Sequence, residues 1–326
     1  ISVSTSYVNG WIYSSLLFPD IYSLPTRPFL AKEWWFSDDG STLFIRIRQG
    51  LFWSDGEPFT VEDVLWNFET LLPEVTGTGV GGIFDANGLP PMIKIVDGET
   101  ISFTWTAPNA LALRAIGFAV ILPKHVLDER LETGTFAQAW GLDEWDKLVT
   151  MGPYLISDYV TGERVVLERN PYFWMYDALG NKLPYIERIV YQIVPDWAAL
   201  TLRFESGQTD VYFPTADEYP RILSMAEEKG WETGSQFAGF GTRLIAFNFN
   251  TPDPIKSNWF RNEHFRKAIA YLIDRQLVIE ALLNGCPLPL YVPLTPFTSF
   301  YNPKFIGFEI KNSLTRAGLK RKMERP

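Results

Sequence analysis

Residues 36–72, FSDDGSTLFIRIRQGLFWSDGEPFTVEDVLWNFETLL, constrain the fold more than any other part of this 326-residue chain. Residues 42–48 alternate apolar and polar side chains, which is the period of a strand with one buried face. An Asp-Gly pair stands on each side of this strand, at 39–40 and at 55–56, and such pairs are typical of tight turns. The segment therefore predicts strands joined by tight turns.

A helix is predicted directly after the second turn. Thr60 and Asp63 have the spacing of a capping box, with Asp in the place of the usual Glu. From Val61 to Phe68, apolar residues recur at i, i+3, i+4 and i+7, which is the stripe of an amphipathic helix. The segment contains carboxylates but no paired base, thiol or phosphate-type glycine loop, so we interpret it as scaffold rather than as a catalytic site.

Composition argues against several classes of function. The formal net charge is −9 and no cluster of Lys and Arg precedes Lys320, which disfavours nucleic-acid binding because phosphate neutralisation needs a basic face. The chain has no run of eighteen apolar residues, so no membrane span is predicted. Cys286 is the single cysteine and cannot form an internal disulfide. His125 and His264 have no companions at zinc spacing, so neither a metal nor a cofactor is predicted.

Beyond residue 72, strand and helix patterns follow one another, which predicts an α/β chain. A hairpin is predicted about Asp97-Gly98, and another between strands over 154–159 and 164–169. The other predicted elements are a helix over 11–18, a strand over 186–194, a helix over 197–206, strands beginning at 209 and 243, and one helix over 264–283.

Four sequence blocks resemble one known family, in the family's own order. They are WSDGEPFTVEDVLW; GPY with VVLERNPYFW; LPYIERIVYQIVPDWAALTLRFESGQTDV; and FNFNTP with FRKAIAYLIDRQLVIEALLNGCPLP. These motifs are similar to those of extracellular solute-binding protein family 5, the dipeptide-, oligopeptide- and nickel-type binding proteins of ABC importers. Four blocks in the right order and spacing extend the resemblance over residues 16–320.

The resemblance implies an α/β fold of the periplasmic-binding-protein-like type II, in its large three-subdomain variety. The core of lobe I, with a mixed sheet, is expected over 1–24 and 151–250, and an inserted subdomain of lobe I over 25–150. A hinge and the beginning of lobe II are expected over 251–326. Family members are considerably longer than this chain, so we expect a partial chain with an incomplete second lobe.

The resemblance also implies a function. We expect an extracytoplasmic solute-binding protein, not an enzyme, that captures an oligopeptide or similar extended solute as its lobes close. It would deliver this solute to the transmembrane subunits of an ABC permease. The protein is expected to be a periplasmic or cell-surface monomer that binds no nucleic acid and no cofactor, with its signal peptide removed and a lipid or membrane tether in its full-length form.

Candidate ligand contacts fall in two segments. The resemblance places the first upstream of the apolar run at residues 16–18, although an ordinary edge strand is the alternative interpretation of those residues. In the second, at a predicted strand end, an Arg could pair with a ligand carboxylate or form a structural salt bridge. The candidates are Ser6, Tyr7, Val8, Asn9, Trp11, Phe240 and Arg243.

Three alternatives stay open. The chain has 12 Trp, and aromatic rings stack on sugar faces, so oligosaccharide binding within the same family is one. A carbohydrate hydrolase with a Trp-lined cleft is an alternative from another class, although the acidic pairs Asp38–Asp39 and Asp55–Glu57 fall in predicted turns. A peptide-sensing or chaperone-like adaptor on the same fold is the third.

Overall fold

The computed structural model describes residues 3–19, 25, 27–75, 83, 88–141, 143–215, 217–234 and 244–282. The chain divides into two units, Ile1–Asp196 and Trp197–Pro326. The domain boundaries predicted at residues 24, 150 and 250 stay predictions.

The first unit combines short helices with antiparallel strands. Helix α2 continues through a π-helical turn, Asn67–Leu71, into α3, and two 3₁₀ turns, Phe136–Gln138 and Trp145–Lys147, precede the last three strands. The elements are α1 (Val3–Ile12), β1 (Leu17–Phe18), β2 (Arg27–Pro28), β3 (Ala31–Phe36), β4 (Thr42–Ile47), α2 (Val61–Trp66), α3 (Leu72–Val75), β5 (Met92–Ile95), β6 (Thr100–Thr104), α4 (Ala112–Gly117), α5 (Lys124–Glu132), β7 (Tyr154–Val160), β8 (Arg164–Arg169) and β9 (Arg188–Gln192).

A four-stranded antiparallel sheet, in the order β3-β4-β6-β5, forms the main core of this unit. On β4, Leu43, Ile45 and Ile47 are fully buried while the alternate residues are half-buried. Val64 and Phe68 of the following helix belong to the same buried cluster. Because full burial of one such side chain contributes roughly 1.5–3 kcal/mol, the alternation determines which face of the strand packs inward. The predicted β4 strand, the 97–98 hairpin and the helix after residue 60 are confirmed.

Asp63 joins the start of α2 to the start of α5. Its carboxylate accepts hydrogen bonds from the Thr60 N–H at 3.0 Å and from the Lys124 N–H at 3.3 Å. The Trp53 indole N–H is 3.5 Å from the same carboxylate. Burial raises the pKa of Asp63, and these hydrogen bonds oppose that shift. The predicted capping position is therefore also a link between two helices that are distant in sequence.

The second sheet, β7-β8-β9, is antiparallel and packs against α1. Ile12 of the helix is buried in one cluster with Tyr154 and Leu167 of the sheet. The predicted strands over 154–159 and 164–169 are confirmed, and the strand predicted over 186–194 is shorter, at Arg188–Gln192.

The helix predicted over residues 11–18 is wrong, as is the edge-strand interpretation of the residues before it. The helix is α1, at Val3–Ile12, and Leu17–Phe18 pairs instead with Arg27–Pro28 as a short antiparallel ladder. Apolar side chains run through residues 11–18 without a helical or strand period, so a distant pairing partner decides their conformation.

Gly152 lies where the end of α1 meets the start of β7. Its N–H donates to the Ile12 carbonyl at 3.1 Å, and its own carbonyl accepts from the Asn170 side-chain amide at 2.9 Å. A Cβ at this position would stand 2.4 Å from the Ile12 carbonyl oxygen and 2.5 Å from that of Trp11. Only glycine permits this approach of two backbones.

The second unit, where described, is helical. Its elements are α6 (Trp197–Glu205), α7 (Tyr219–Lys229), α8 (Pro254–Arg261), α9 (Glu263–Leu272) and α10 (Arg275–Leu282). The helix predicted over 264–283 is two helices, because Asp274 caps a new start by accepting from the Leu277 N–H at 3.1 Å. The strands predicted at 209 and 243 are wrong as far as the described residues 209–213 and 244–250 extend, since alternation alone supplies no pairing partner.

Glu218 organises the connection between α6 and α7. Its carboxylate accepts from the Trp197 indole N–H and the Tyr212 hydroxyl, both at 2.7 Å. The Thr201 hydroxyl donates at 2.8 Å and the Thr215 N–H at 3.1 Å. Partial burial raises the pKa of Glu218, but these hydrogen bonds outweigh it and lower the pKa to about 2. The carboxylate therefore stays charged and fixes the connecting segment.

Candidate ligand-binding site

Helix α1 carries the first group of predicted contacts and presents one face to the β7-β8-β9 sheet. Val8 and Ile12 are four residues apart and therefore share that face. Ile12 is buried, and Val8 is half-buried against the same cluster. This face of α1 is therefore scaffold and is not available to a solute.

Trp11 lies at the edge of this interface and is 42% exposed. Its indole N–H donates to the Tyr191 hydroxyl at 2.8 Å. Its ring meets the Tyr154 ring edge to face, with centroids 5.7 Å apart and planes at 85°, a favoured arrangement for two aromatic rings. The indole is therefore held in one orientation while part of its surface remains open to solvent.

Asn9 and Gly10 adjoin Trp11 on the helix, and we call these three residues the α1 edge. The Asn9 carbonyl accepts from the Tyr13 N–H at 3.1 Å, whereas its half-buried side-chain amide bonds to no described residue. Gly10 is exposed, and a Cβ added to it would meet nothing within 4 Å. The α1 edge thus offers an amide and an aromatic surface without a charge, which suits the uncharged parts of a peptide backbone or a sugar.

The structure brings only part of the predicted set together. Val8, Asn9 and Trp11 lie on one helix, with Val8 turned partly into the core. The backbones of Ser6 and Tyr7 belong to the same helix, but their side chains lie outside the described structure. The second predicted group, Phe240 and Arg243, also lies outside the described residues.

Two residues that the sequence did not single out determine the position of Trp11. Tyr191, on β9, is 180 positions away from Trp11. Tyr154, on β7, donates its hydroxyl to the Ile186 carbonyl at 2.9 Å. Burial raises the pKa of Tyr154. Strand alternation places both tyrosines on predictable faces, but no local signal pairs them with Trp11.

One carboxylate of each predicted acidic pair, Asp39 and Asp55, serves as a turn residue. Asp39 accepts from the Ser41 N–H at 3.0 Å, and hydrogen bonds from the Ser37 and Ser41 side chains and backbone lower its pKa. Asp55 accepts from the Glu57 N–H at 3.2 Å and contacts His125 Nε2 at 2.8 Å. Both carboxylates therefore stabilise local backbone, as Asp commonly does in turns.

Within the described residues, no group of three or more His, Cys, Asp or Glu side chains is arranged to hold a metal ion. None of the helices in the described part of the chain has the length and apolar character needed to cross a bilayer.

Comparison with known protein families shows to which family the chain belongs. Residues 26–324 match the family described as bacterial extracellular solute-binding proteins, family 5 Middle. The chain belongs to this family. The family 5 chain is 29% identical over 283 residues to a probable ABC transporter-binding protein of Deinococcus radiodurans, covering 82% of the chain and 47% of that relative. It is also 29% identical over 300 residues to a periplasmic alpha-galactoside-binding protein of Rhizobium meliloti, covering 84% and 42%.

Solved structures agree with the expected fold class. The family 5 chain matches the oligopeptide-binding protein AppA of Bacillus subtilis, solved with a nonapeptide, with a TM-score of 0.74 at 18% identity. The match covers 99% of this chain and 60% of AppA. The predicted periplasmic-binding-protein-like α/β fold is confirmed, and the chain spans about half the length of the curated relatives it matches. Family 5 consists of extracellular substrate-binding proteins rather than enzymes.

Proposed function

We propose that the protein to which this chain belongs captures an oligopeptide or similar extended solute outside the cytoplasm and delivers it to the transmembrane subunits of an ABC importer. The family match over residues 26–324 carries this proposal. The likeness to AppA, solved with a nonapeptide, favours an extended peptide as the solute. In this proposal the protein is a monomer, performs no covalent chemistry and is tethered at the membrane surface.

The α1 edge is the proposed contact of the first lobe with the solute. Trp11 is fixed by Tyr191 and Tyr154 before any ligand arrives, so binding does not have to order its ring. Asn9 supplies an amide that can pair with a main-chain group of an extended peptide. Ser6 and Tyr7 remain proposed contacts on the sequence resemblance alone. Phe240 and Arg243 remain proposed contacts because of their place at a predicted strand end.

Oligosaccharide binding is the second candidate function. A relative at 29% identity is an alpha-galactoside-binding protein, and the exposed surface of Trp11 suits stacking on a pyranose ring. The two candidates share the α1 edge and differ in the solute, so binding measurements separate them.

Calorimetric titration of the full-length protein tests the proposal. We expect heat of binding with peptides of three to nine residues and none with raffinose or stachyose; the reverse result selects the sugar. Trp11→Ala should weaken binding at least tenfold. The matched control is Trp35→Ala, because Trp35 is similarly exposed, at 38%, but lies on β3. Turnover of a substrate with no binding in either panel would refute both candidates.

A further inference from the structure

An open cavity of about 480 Å³ lies in the first unit at the end of the four-stranded sheet. None of the α1-edge residues lines it. Its polar lining comes from Lys32, Arg48, Gln49 and Glu99, and the Trp174 ring adds an aromatic wall. The proposed transport function assigns no role to these residues.

Arg48 is the best-anchored group in this cavity. Its backbone N–H donates to the Leu30 carbonyl at 2.9 Å, and its Nε donates to the Phe29 carbonyl at 2.7 Å. The guanidinium carbon lies 4.7 Å from the centre of the Trp174 ring. These contacts fix the guanidinium plane, while neither terminal nitrogen bonds to a described residue. An oriented guanidinium with two such N–H groups matches the planar geometry of a carboxylate.

Lys32 lines the same cavity because β3 is bulged at this residue. The ladder pairs Ala31 with Ile47 and then Glu33 with Arg46, so Lys32 is the extra residue on β3. A bulge redirects a side chain that regular alternation would aim elsewhere. Lys32 is exposed and forms no ion pair with a described residue, whereas the neighbouring Arg46 is paired with Glu33.

Charge sets the kind of ligand that fits. Two cations, Lys32 and Arg48, and one carboxylate, Glu99, line the cavity, so the lining carries a net charge of +1 in a chain of −9. That balance suits a single negative group better than a doubly charged phosphate. The Trp174 indole N–H is buried without a hydrogen-bond partner among the described residues. The Trp174 ring forms the aromatic wall of the cavity.

We propose that this cavity is a binding site for a small monocarboxylate, held by the terminal nitrogens of Arg48 with Lys32 as the second cation. The residues that orient Arg48 also pack the surrounding core, since Phe29 is buried and its ring centroid lies 5.7 Å from that of Trp174. All of the residues that line the cavity belong to the first unit.

Titration of the full chain with sodium acetate, followed by ¹H–¹⁵N NMR at constant ionic strength, tests the site. We expect saturable shifts of the Trp174 indole and Gly50 amide signals with acetate, and none with chloride. Lys32→Gln should weaken acetate binding about fivefold or more. Lys94→Gln is the matched control, because Lys94 is an exposed lysine on β5 of the same sheet that does not line the cavity, and it should leave binding unchanged.

Arg48→Lys provides a second, independent variant. Lysine keeps the positive charge but lacks the planar guanidinium with its two terminal nitrogens. Acetate binding should therefore fall at least tenfold, while circular dichroism confirms a folded chain. Equal shifts with acetate and chloride, or unchanged acetate binding in Lys32→Gln, would overturn the site. A tighter response to inorganic phosphate than to acetate would overturn its assignment to a monocarboxylate.

Discussion

The two larger sheets of the first unit are stabilised in different ways. In the β3-β4-β6-β5 sheet, the inward residues of the central strands are fully buried: Leu43, Ile45, Ile47, Ile101 and Phe103. In the β7-β8-β9 sheet, β9 alternates only between half-buried and exposed residues, and hydrogen bonds such as Trp11–Tyr191 fix its neighbours. Dense apolar burial makes a rigid support, whereas the half-buried edge strand β9 leaves aromatic surface open to a solute.

Truncating one apolar residue on each sheet should give the largest difference. Ile45→Ala removes a fully buried side chain and should cost about 2–5 kcal/mol of unfolding free energy. Ile189→Ala, on the half-buried β9, should cost about 1 kcal/mol, because its surroundings can relax and admit water. Urea unfolding of both variants measures the difference. Equal losses would show that the two sheets are packed alike.

Gly152→Ala should be the most damaging change at the α1–sheet junction, although it adds only one methyl group. The new Cβ would stand 2.4 Å from the Ile12 carbonyl oxygen, so α1 must shift away from β7. Overpacking of this kind costs about 1–3 kcal/mol. The control is Gly98→Ala, since a Cβ at Gly98 meets nothing within 4 Å. If Gly152→Ala and Gly98→Ala change the unfolding free energy equally, the α1–sheet junction is packed more loosely than the hydrogen bonds around Gly152 indicate.

Tyr191→Phe should have a small effect on stability and a clearer effect on the α1 edge. Loss of the 2.8 Å bond to Trp11 costs about 0.5–1.5 kcal/mol at most, since an exposed indole N–H can turn to water. Because the indole is then no longer held in one orientation, solute binding should weaken about threefold. Calorimetry on the full-length protein measures this change. Tyr159→Phe, on β7 of the same sheet, is the control. If both variants weaken solute binding equally, Tyr191 has no particular role in orienting Trp11 for the solute.

The same contrast explains which features the sequence could predict. The sequence predicts strand β4 over residues 42–48, and the strand lies at Thr42–Ile47, because its period and its flanking turns are local signals. The helix predicted over residues 11–18 is wrong because Leu17–Phe18 takes its conformation from Arg27–Pro28. The Trp11–Tyr191 bond and the Arg48–Trp174 stack join residues more than a hundred positions apart, which no periodicity encodes.

Hydrogen bonds to the Glu218 carboxylate also fix a segment of the second unit. They should make the local stability of this segment depend on pH. The pKa of Glu218 is lowered to about 2 in the folded chain, so its contribution is fully present above its ordinary pKa and is lost as pH falls from about 4.5 toward 2. Burial of Asp63 in the first unit raises its pKa instead, so its contribution is present at low pH and declines as pH rises through the raised value.

Hydrogen exchange at pH 6 and pH 3, read by mass spectrometry, reports the two units separately. Acidification should weaken protection of α6 and α7 more than protection of α2, after correction for the intrinsic pH dependence of exchange. Glu218→Gln should remove most of that difference, because its neutral amide no longer titrates. Glu228→Gln, an exposed change on the same helix, should preserve it. If acid lowers the exchange protection of α2 more than that of α6 and α7, burial of Asp63 stabilises its helix against acid less well than the hydrogen bonds to Glu218 stabilise theirs.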